Sequence, residues 1–307
     1  MQSYSGWAIS WGSEDKLTLF TLSAGALNGF LLGGLYAITA LGLSMVFGVM
    51  RLVNVVHGEL LVLGAYLTLF ISTALGLDPL LATLIVAVVL FLIGYSLQLW
   101  VFNPVMDRGM EPPLLTAFGL SIIAQSLFLV YWTTNTRTIN TIYSQRGLRL
   151  VGMNVPVIYL VSFGLSLVLI AGIHLFMTHT YPGKAIRAAT QDPETAKVMG
   201  VNVKWVYALT YAIGAATTAL GGTLIGMTFS FVPASGLSWL LKGFVIVVLG
   251  GMGSIVGTLA GGFLLGTAEG VGAAIVGTGY RDMIGLIIFL VVLVARPTGL
   301  FGRAGSK

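Results

Sequence analysis

The chain has 307 residues, of which 57% are hydrophobic and only 8% are charged, and its formal net charge is +5. An ordinary soluble domain carries about 25% charged residues, so a fold whose surface lies mostly in water is excluded. The absence of cysteine excludes disulfides and thiolate metal sites. The positive charge fits loops on the cytoplasmic face of a membrane better than a surface that binds nucleic acid.

Eight hydrophobic blocks predict an all-α bundle of transmembrane helices that forms a single domain, 1–307. The blocks show neither the polar stripe of a soluble amphipathic helix nor the strict alternation of a β-barrel strand. They are long enough to cross about 30 Å of hydrocarbon as helices. The blocks fall at 17–49, 58–75, 79–101, 113–133, 155–177, 206–230, 240–275 and 276–295.

The start of the chain, residues 1–16, is a short polar segment without the basic region of a signal peptide, so we expect no cleaved leader. The block at 17–49 that follows is too long for one simple span, because its helix would reach about 50 Å. We therefore expect it to be tilted, kinked or broken, with Gly33, Gly34 and Gly42 as plausible places for a break.

The densest polar cluster inside an apolar region follows at 51–59. Ionisable groups at membrane depth cost several kcal/mol and usually face the interior of a bundle or a transport pathway. The side chains here have two possible roles: they hydrogen-bond free backbone groups at a helix break, or they line a translocation pathway. No residue three or four positions after the histidine could share a metal ion with it. The candidate residues are Asn54, His57, Gly58 and Glu59.

Three polar regions set the predicted orientation. Basic residues favour the cytoplasmic side, so the loop at 178–205 and the tail at 296–307 both belong there. The loop at 134–154 is expected outside, although it carries Arg137, Arg146 and Arg149.

The loop at 178–205 carries signals for a short helix outside the bilayer. Asp192 suits the N-cap, Pro193 the first helical position, and Glu194 complements the helix N-terminus. Gly200 fits the position just after the helix. A second short helix is expected before it, at 184–191. Such a pair of helices could bind a partner protein, whereas a featureless linker would not need so many start and stop signals.

The block at 240–275 contains a glycine-rich break between two apolar arms. If this block enters the membrane and returns, the cytoplasmic loop and the tail lie on the same side. Broken backbone at membrane depth is tolerated only inside protein or beside a water-filled cavity. The stretch at 42–75 has a similar order of arm, break and arm, so two related halves are possible. The break residues are Gly250, Gly251, Gly253 and Ser254.

Two charged residues within the later apolar blocks, Lys242 and Glu269, are expected near the membrane interfaces, where long side chains reach water at little cost. The sequence lacks the phosphate loop of ATPases, the H-E-x-x-H zinc motif and the G-x-S-x-G motif of hydrolases. These absences argue against an enzyme. They leave open a permease driven by separate ATPase subunits, or a stand-alone secondary transporter or channel for a small solute.

Four segments, in order from about residue 20 to residue 303, resemble the LivH-type permeases of branched-chain amino acid ABC importers. They are GLYAITALGLSMVFGVMRLVNVVHGELLVLGAY, GKAIRAATQDPETAKVMGVNV, GFVIVVLGGMGSIVGTLAGGFLLGTAEG and RPTGLFGR. The resemblance implies a permease in the cytoplasmic membrane of a prokaryote. It also implies a related LivM-type permease, two cytoplasmic ATPase subunits and an extracytoplasmic solute-binding protein as partners. The chain itself is expected to bind no cofactor, since ATP is used by the partner subunits.

The resemblance also assigns residues. The membrane motif of the family falls on Asn54, His57, Gly58 and Glu59, with Val55 and Val56 where the family usually has Phe and Ala. Branched-chain or other aliphatic amino acids are the first expectation for the substrate, and urea or short amides are the alternative. The segment that couples such permeases to their ATPases matches Lys184, Arg187, Ala188, Asp192, Glu194, Ala196, Gly200 and Val201.

Overall fold

The computed structural model of the protein describes residues 11–109, 111–150, 152–296 and 299. Most of the predicted N-terminal segment 1–16 and of the tail 296–307 lies outside these residues. The described part contains thirteen α-helices and one two-stranded antiparallel sheet. The helices are α1 (Trp11–Met50), α2 (His57–Leu75), α3 (Pro79–Leu97), α4 (Asn103–Met106), α5 (Glu111–Trp132), α6 (Ile142–Gln145), α7 (Val157–His179), α8 (Tyr181–Gln191), α9 (Pro193–Val198), α10 (Val203–Thr228), α11 (Gly236–Gly250), α12 (Ile255–Val276) and α13 (Arg281–Ala295), and the strands are β1 (Gly147–Leu150) and β2 (Met153–Pro156).

Every predicted hydrophobic block forms helix, which confirms a polytopic helical bundle. Within the described residues, nine helical stretches are long and apolar enough to cross a membrane. The block at 240–275 forms two of them, α11 and α12, separated by a turn. A π-helical turn, Gln98–Phe102, joins α3 to α4 without ending the helical path.

The expected break inside the first block is wrong, because α1 is one continuous helix from Trp11 to Met50. Its glycines allow close packing instead of a break. A Cβ atom on Gly34 would lie 2.7 Å from the Cα of Phe163 in α7, and one on Gly42 would lie 2.7 Å from the Oγ1 of Thr217 in α10. These glycines are therefore explained by contact with other helices.

The closest helix pair is formed by α1 and α12, which cross through matched glycines. Gly25, Gly29 and Gly33 of α1 face backbone atoms of α12 so closely that a Cβ atom on any of them would collide. Small residues at this spacing let helix backbones approach in lipid, where no hydrophobic drive brings helices together. The partners in α12 are Gly270, Gly266 and Gly262, in that order, so the two helices run antiparallel.

Two inverted halves organise the bundle. α1 packs against α11 and α12, and α10 packs in the same way against α2 and α3. α1 and α10 contact each other at the centre and run antiparallel, since Gly42 lies against Gly214 whereas Thr39 lies against Gly221. In each half a long helix is followed by a segment without α-helix, at 51–56 or 229–235, and then by an α-helix that starts inside the bundle; the second segment ends in a 3-10 turn, Pro233–Ser235.

The pairing of the halves differs from the predicted one. The sequence suggested that the break at 250–254 corresponds to the polar stretch at 51–59. In the structure the segment at 229–235 takes that place, because both segments lead from a long central helix into a helix that begins inside the bundle. Its backbone is paired with the preceding loop, where Arg137 and Phe231 exchange two N–H···O bonds of 2.9 Å.

The two ends of the bundle carry different features. At one end α8 packs against α1 and α10, and Gly299 at the start of the tail lies against Gly251. At the other end lies the loop at 134–154, whose α6, β1 and β2 sit beside the start of α3 through the bond from Tyr143 Oη to Asp78 Oδ2, 3.1 Å long. This small sheet was not predicted. The arrangement fits the predicted orientation, in which 178–205 and the tail share one side.

Candidate functional site

The first part of the site is the place where α2 and α11 begin head to head inside the bundle; we call it the central junction (residues 54–59 and 235–236). Gly58 contacts the backbone of Gly236 so closely that a Cβ atom on Gly58 would collide with the Gly236 carbonyl oxygen. A Cβ atom on Gly236 would lie 2.6 Å from Oε1 of Glu59. Two glycines are thus needed where the two helix N-termini meet.

His57 places this junction deep in the bundle. Its Nε2 donates a hydrogen bond of 2.7 Å to the carbonyl oxygen of Thr39, and the ring is completely buried. Thr39 precedes the end of α1 at Met50 by about three turns, or roughly 16 Å at 1.5 Å per residue. The segment at 51–56 therefore folds back along α1 before α2 begins.

The other two polar side chains connect the junction to further helices. Tyr211 of α10 donates a hydrogen bond of 3.1 Å to Oδ1 of Asn54, and Ser121 of α5 donates one of 3.2 Å to Oε1 of Glu59. Together with the bond from His57 to α1, the junction is tied to three different helices. In the described part of the chain these side-chain bonds go to neighbouring helices, and none goes to a free backbone N–H of α2.

Glu59 has one oxygen available for a ligand. The residue is 3% exposed, and its Oε2 has no hydrogen-bond partner among the described residues. The carboxylate faces the first turn of α11, whose N-cap Ser235 makes no side-chain cap bond. A helix N-terminus interacts favourably with negative charge. The arrangement therefore places a buried carboxyl group, with one oxygen unpartnered among the described residues, against the N-terminus of α11.

The glycine-rich turn at 250–254 lies elsewhere. Gly251 and Gly253 have positive φ angles of 89° and 82°, and the Oγ of Ser254 caps α12 by accepting from the N–H of Gly257 at 3.0 Å. The turn is about 21 Å from the junction along α11, taking 1.5 Å per residue. Gly253 also contacts Gly48 near the end of α1. The helix break is present, and a pathway role of these residues stays a prediction.

The second part of the site is the element formed by α8 and α9. Asp192 caps α9 by accepting from the N–H groups of Glu194 and Thr195 at 3.0 and 3.2 Å. After the helix, Gly200 has a φ of 84°, and the bonds from its N–H to Lys197 and from the next N–H to Ala196 form a Schellman motif. Both predicted end signals are thus present, and the predicted helix before it, at 184–191, is the main part of α8.

Asp192 is held in its charged form. The hydroxyl of Thr195 and the two backbone N–H groups donate to its carboxylate and keep its pKa below the usual range. The neighbouring pair of Lys197 and Glu194, 2.7 Å apart, raises the pKa of the lysine. The negative charge of Glu194 near the start of α9 and the positive charge of Lys197 near its end strengthen the short helix, since they match the ends of its dipole.

The element has one buried and one exposed face. Gly183, Ala185, Ile186 and Ala189 of α8 are buried against the bundle, and so is Ala196, at 4% exposure. Ala196 therefore anchors the element and does not face a partner. Val201 is half-buried. The other residues assigned to coupling are exposed: Lys184, Arg187, Ala188, Asp192, Glu194 and Gly200.

Two exposed apolar residues of this element were not singled out by the sequence analysis. Val198 and Met199, at the end of α9, are 87% and 78% exposed. In the sequence they come directly after a charged and well-capped helical turn. Two apolar residues at such a fixed surface position are the signal that could have identified them.

The expectation that the side chain of Glu269 reaches water is wrong, because Glu269 is buried among α1, α11 and α13, while the depth of Lys242 and Glu269 in the membrane stays a prediction. Its side chain is 1% exposed and pairs with Nζ of Lys242 at 3.2 Å. Tyr36 donates a hydrogen bond of 2.6 Å to its other oxygen. Lys242 also contacts Asp282 at 2.7 Å. Because a buried charge is costly without a partner, this pairing explains how α12 tolerates an acidic residue.

Comparison with known proteins assigns a family. The family described as branched-chain amino acid transport system, permease component, matches residues 25–295. The high-affinity branched-chain amino acid permease protein BraD of Pseudomonas aeruginosa is 31% identical over 90% of this chain and 94% of its own length. The permease protein LivH of Escherichia coli is 33% identical over the same shares. A probable LivH of Methanocaldococcus jannaschii is 25% identical over 89% of this chain and 90% of its own length.

No solved structure shows significant similarity to this chain. The relatives are permease subunits, which are transport components rather than enzymes. Together with the nine apolar helices of the described residues, they identify a multi-pass protein of the inner membrane. The chain belongs to the branched-chain amino acid permease family and is a permease component of an ABC importer.

Proposed function

We propose that this permease forms the membrane route for branched-chain or related aliphatic amino acids, paired with a LivM-type permease subunit. Two cytoplasmic ATPase subunits drive it, and an extracytoplasmic solute-binding protein delivers the substrate. BraD and LivH, which are named as branched-chain amino acid permeases, support this substrate class at 31% and 33% identity. The sequence has no phosphate loop, so the ATP is bound by the partners.

The observation that carries the proposal is the capped α8–α9 element at one end of the bundle. Its buried face fixes it to α1 and α10, the two central helices. Its exposed face offers charged residues around two apolar ones. A helix end fixed in this way can transmit the movement of an attached motor, since the caps prevent it from unwinding under load.

We assign Val198 and Met199 as the apolar contact that enters a groove of an ATPase subunit. An apolar residue that is more than three-quarters exposed gains from burial against a partner. Lys184 and Arg187 on α8, and Glu194 on α9, lie on the exposed face and can orient the partner by charge.

Inside the membrane we assign Glu59 to the pathway. Its buried carboxylate, free at one oxygen, suits the ammonium group of an amino acid as it passes the central junction. Asn54 and His57 keep the junction in place through Tyr211 and Thr39.

The test compares leucine uptake and ATPase co-purification for two sets of variants. The pair Val198→Ser with Met199→Ser leaves the fold intact, because both side chains are exposed, and should abolish most co-purification and uptake. Asp192→Ala with Gly200→Pro should act in the same way, since loss of an N-cap costs about 1 kcal/mol and proline cannot adopt the φ of 84° found at Gly200.

The matched control is Ile142→Ser, an exposed apolar residue at the opposite end, 64% exposed, which should keep full uptake. Normal co-purification and uptake with the Val198 and Met199 pair changed would refute the assignment of the motor contact. Uptake of urea or acetamide, with no uptake of leucine by the complete complex, would refute the substrate class.

A further inference from the structure

A cavity of about 550 Å³ lies between α1, α11, α12 and α13 and shares Ser235 with the central junction. This volume is within the range of small-molecule sites, about 300–1,000 Å³. Its lining includes Thr278 and Gly279 of the connection between α12 and α13, and Ser230 and Ser235 of the segment before α11. Ser230, Thr278 and Gly279 lie at the end of the bundle opposite to α8 and α9, whereas Ser235 lies inside the bundle. The cavity therefore opens to the side where a binding protein would deliver substrate.

Four charged residues line the cavity, two basic and two acidic: Lys242, Arg281, Glu269 and Asp282. Lys242 and Glu269 form its floor, since Nζ of Lys242 lies 3.2 Å from the carboxylate and 3.2 Å from Oη of Tyr36. The lysine ammonium also lies 4.7 Å above the ring of Tyr36. In this cluster the positive charge of Lys242 balances the negative charge of Glu269, and the contacts fix the side chains at the floor of the cavity.

The charges nearer the mouth are less completely paired. Asp282 is 81% exposed and contacts only the lysine among the described residues. The guanidinium of Arg281 has a buried Nε without a hydrogen-bond partner, and the described residues give this side chain no ion pair. A buried donor without a partner is costly, so a native protein usually satisfies it with a ligand, an ion or water.

We infer that this cavity is an outward-facing binding site for a zwitterionic amino acid with an aliphatic side chain. The ligand carboxylate binds the guanidinium of Arg281, which is suited to bidentate pairing. The ligand ammonium group binds the carboxylate of Asp282. The aliphatic side chain packs against Val245, Leu265 and Leu286. The inference rests on the proposed function, because it names where that substrate first binds.

The pairing of opposite charges selects the substrate class. A sugar, urea or a short amide lacks both charges, and a carboxylic acid or an amine supplies only one. Among the described residues, the cavity has one arginine without an ion pair and one exposed carboxylate, so the wrong ligand leaves a charged group unpaired and binds less well. The cavity thus requires both charged groups of the ligand, whereas Glu59 at the central junction requires only the ammonium group.

The test uses the absence of cysteine in this chain. Ser238 lines the cavity and is exposed, so Ser238→Cys in the complete complex can be labelled by a thiol reagent added outside. L-leucine should slow this labelling about tenfold or more at saturation. Isocaproate, which lacks the ammonium group, and isoamylamine, which lacks the carboxylate, should not. Thr134→Cys, exposed in the loop at the same end but outside the cavity, is the control and should react at the same rate with and without leucine.

Two further variants test the assigned residues. In the Ser238→Cys background, Arg281→Gln and Asp282→Asn should each raise the half-protective leucine concentration about tenfold or more, since each removes one charge-assisted bond. Arg149→Gln, an exposed arginine of β1, should leave it unchanged. Protection that persists unchanged in Arg281→Gln and Asp282→Asn would overturn the site while leaving leucine transport as the function. A wild-type complex that takes up no leucine would overturn the proposed function, and this site with it.

Discussion

The closest backbone contact of the central junction makes Gly58→Ala an informative change. The new Cβ atom would collide with the carbonyl oxygen of Gly236 and would lie 2.7 Å from its carbonyl carbon and 3.0 Å from the Cβ of Leu240. None of these atoms is the free end of a flexible side chain, so α2 and α11 must move apart. Overpacking of this kind costs about 1–3 kcal/mol.

The control for this prediction is Gly119→Ala. Gly119 lies in the middle of α5, and no described atom lies within 4 Å of the position that its Cβ would take, so alanine is expected to be neutral or to stabilise by up to about 1 kcal/mol. Thermal unfolding of the purified complex measures the difference. At about 2–4 °C per kcal/mol, Gly58→Ala should unfold several degrees below Gly119→Ala. Equal midpoints for the two variants would show that the helices do not meet at this glycine.

Two more predictions concern orientation and the pathway. Cysteines introduced at Thr190 and at Leu300, which lies outside the described residues, should react only from the cytoplasmic side, and one at Gln145 only from outside. Reaction of 190 and 300 from opposite sides would contradict the arrangement of α10 to α13. Glu59→Gln should keep the bond from Ser121 but change the rate of leucine uptake at normal assembly, whereas His57→Gln, which can still donate to Thr39, should transport nearly as the wild type does. Wild-type uptake kinetics in Glu59→Gln would remove the carboxylate from the pathway.

Features that depend on neighbouring residues could be predicted from the sequence. The hydrophobic blocks give the membrane helices because a helix in lipid needs only a sufficient run of apolar residues. The ends of α9 follow from Asp192 and Gly200, since an N-cap and a left-handed glycine act within four residues of the positions they satisfy. Glycines at four-residue spacing, such as Gly25, Gly29 and Gly33, are typical of close helix packing in lipid, but the sequence does not show which helices are paired.

Features that depend on distant residues could not be predicted in this way. The pairing of Lys242 with Glu269, 27 positions away, and with Asp282 depends on how α11, α12 and α13 pack. Gly33 and Gly42 are compatible with either a kink or a close contact, and only the partner helix decides between them. The similar segments GFLLGG and GGFLLG, at 29–34 and 261–266, pack against each other in α1 and α12 and are not equivalent parts of the two halves.

The same packing indicates how the two ends of the molecule are connected. α1 and α12 touch backbone to backbone at three successive glycine pairs, so one helix cannot slide along the other without a collision. They therefore move as one body, which carries both Tyr36 and Glu269.

α8 packs against α1 close to the end that carries the proposed motor contact. α1 also packs against α11, which holds Lys242 and begins at the central junction. Lys242 bonds to Tyr36 and Glu269, which both lie on the body formed by α1 and α12, and to Asp282 of α13. A shift of α11 relative to this body must therefore break or exchange the first two contacts.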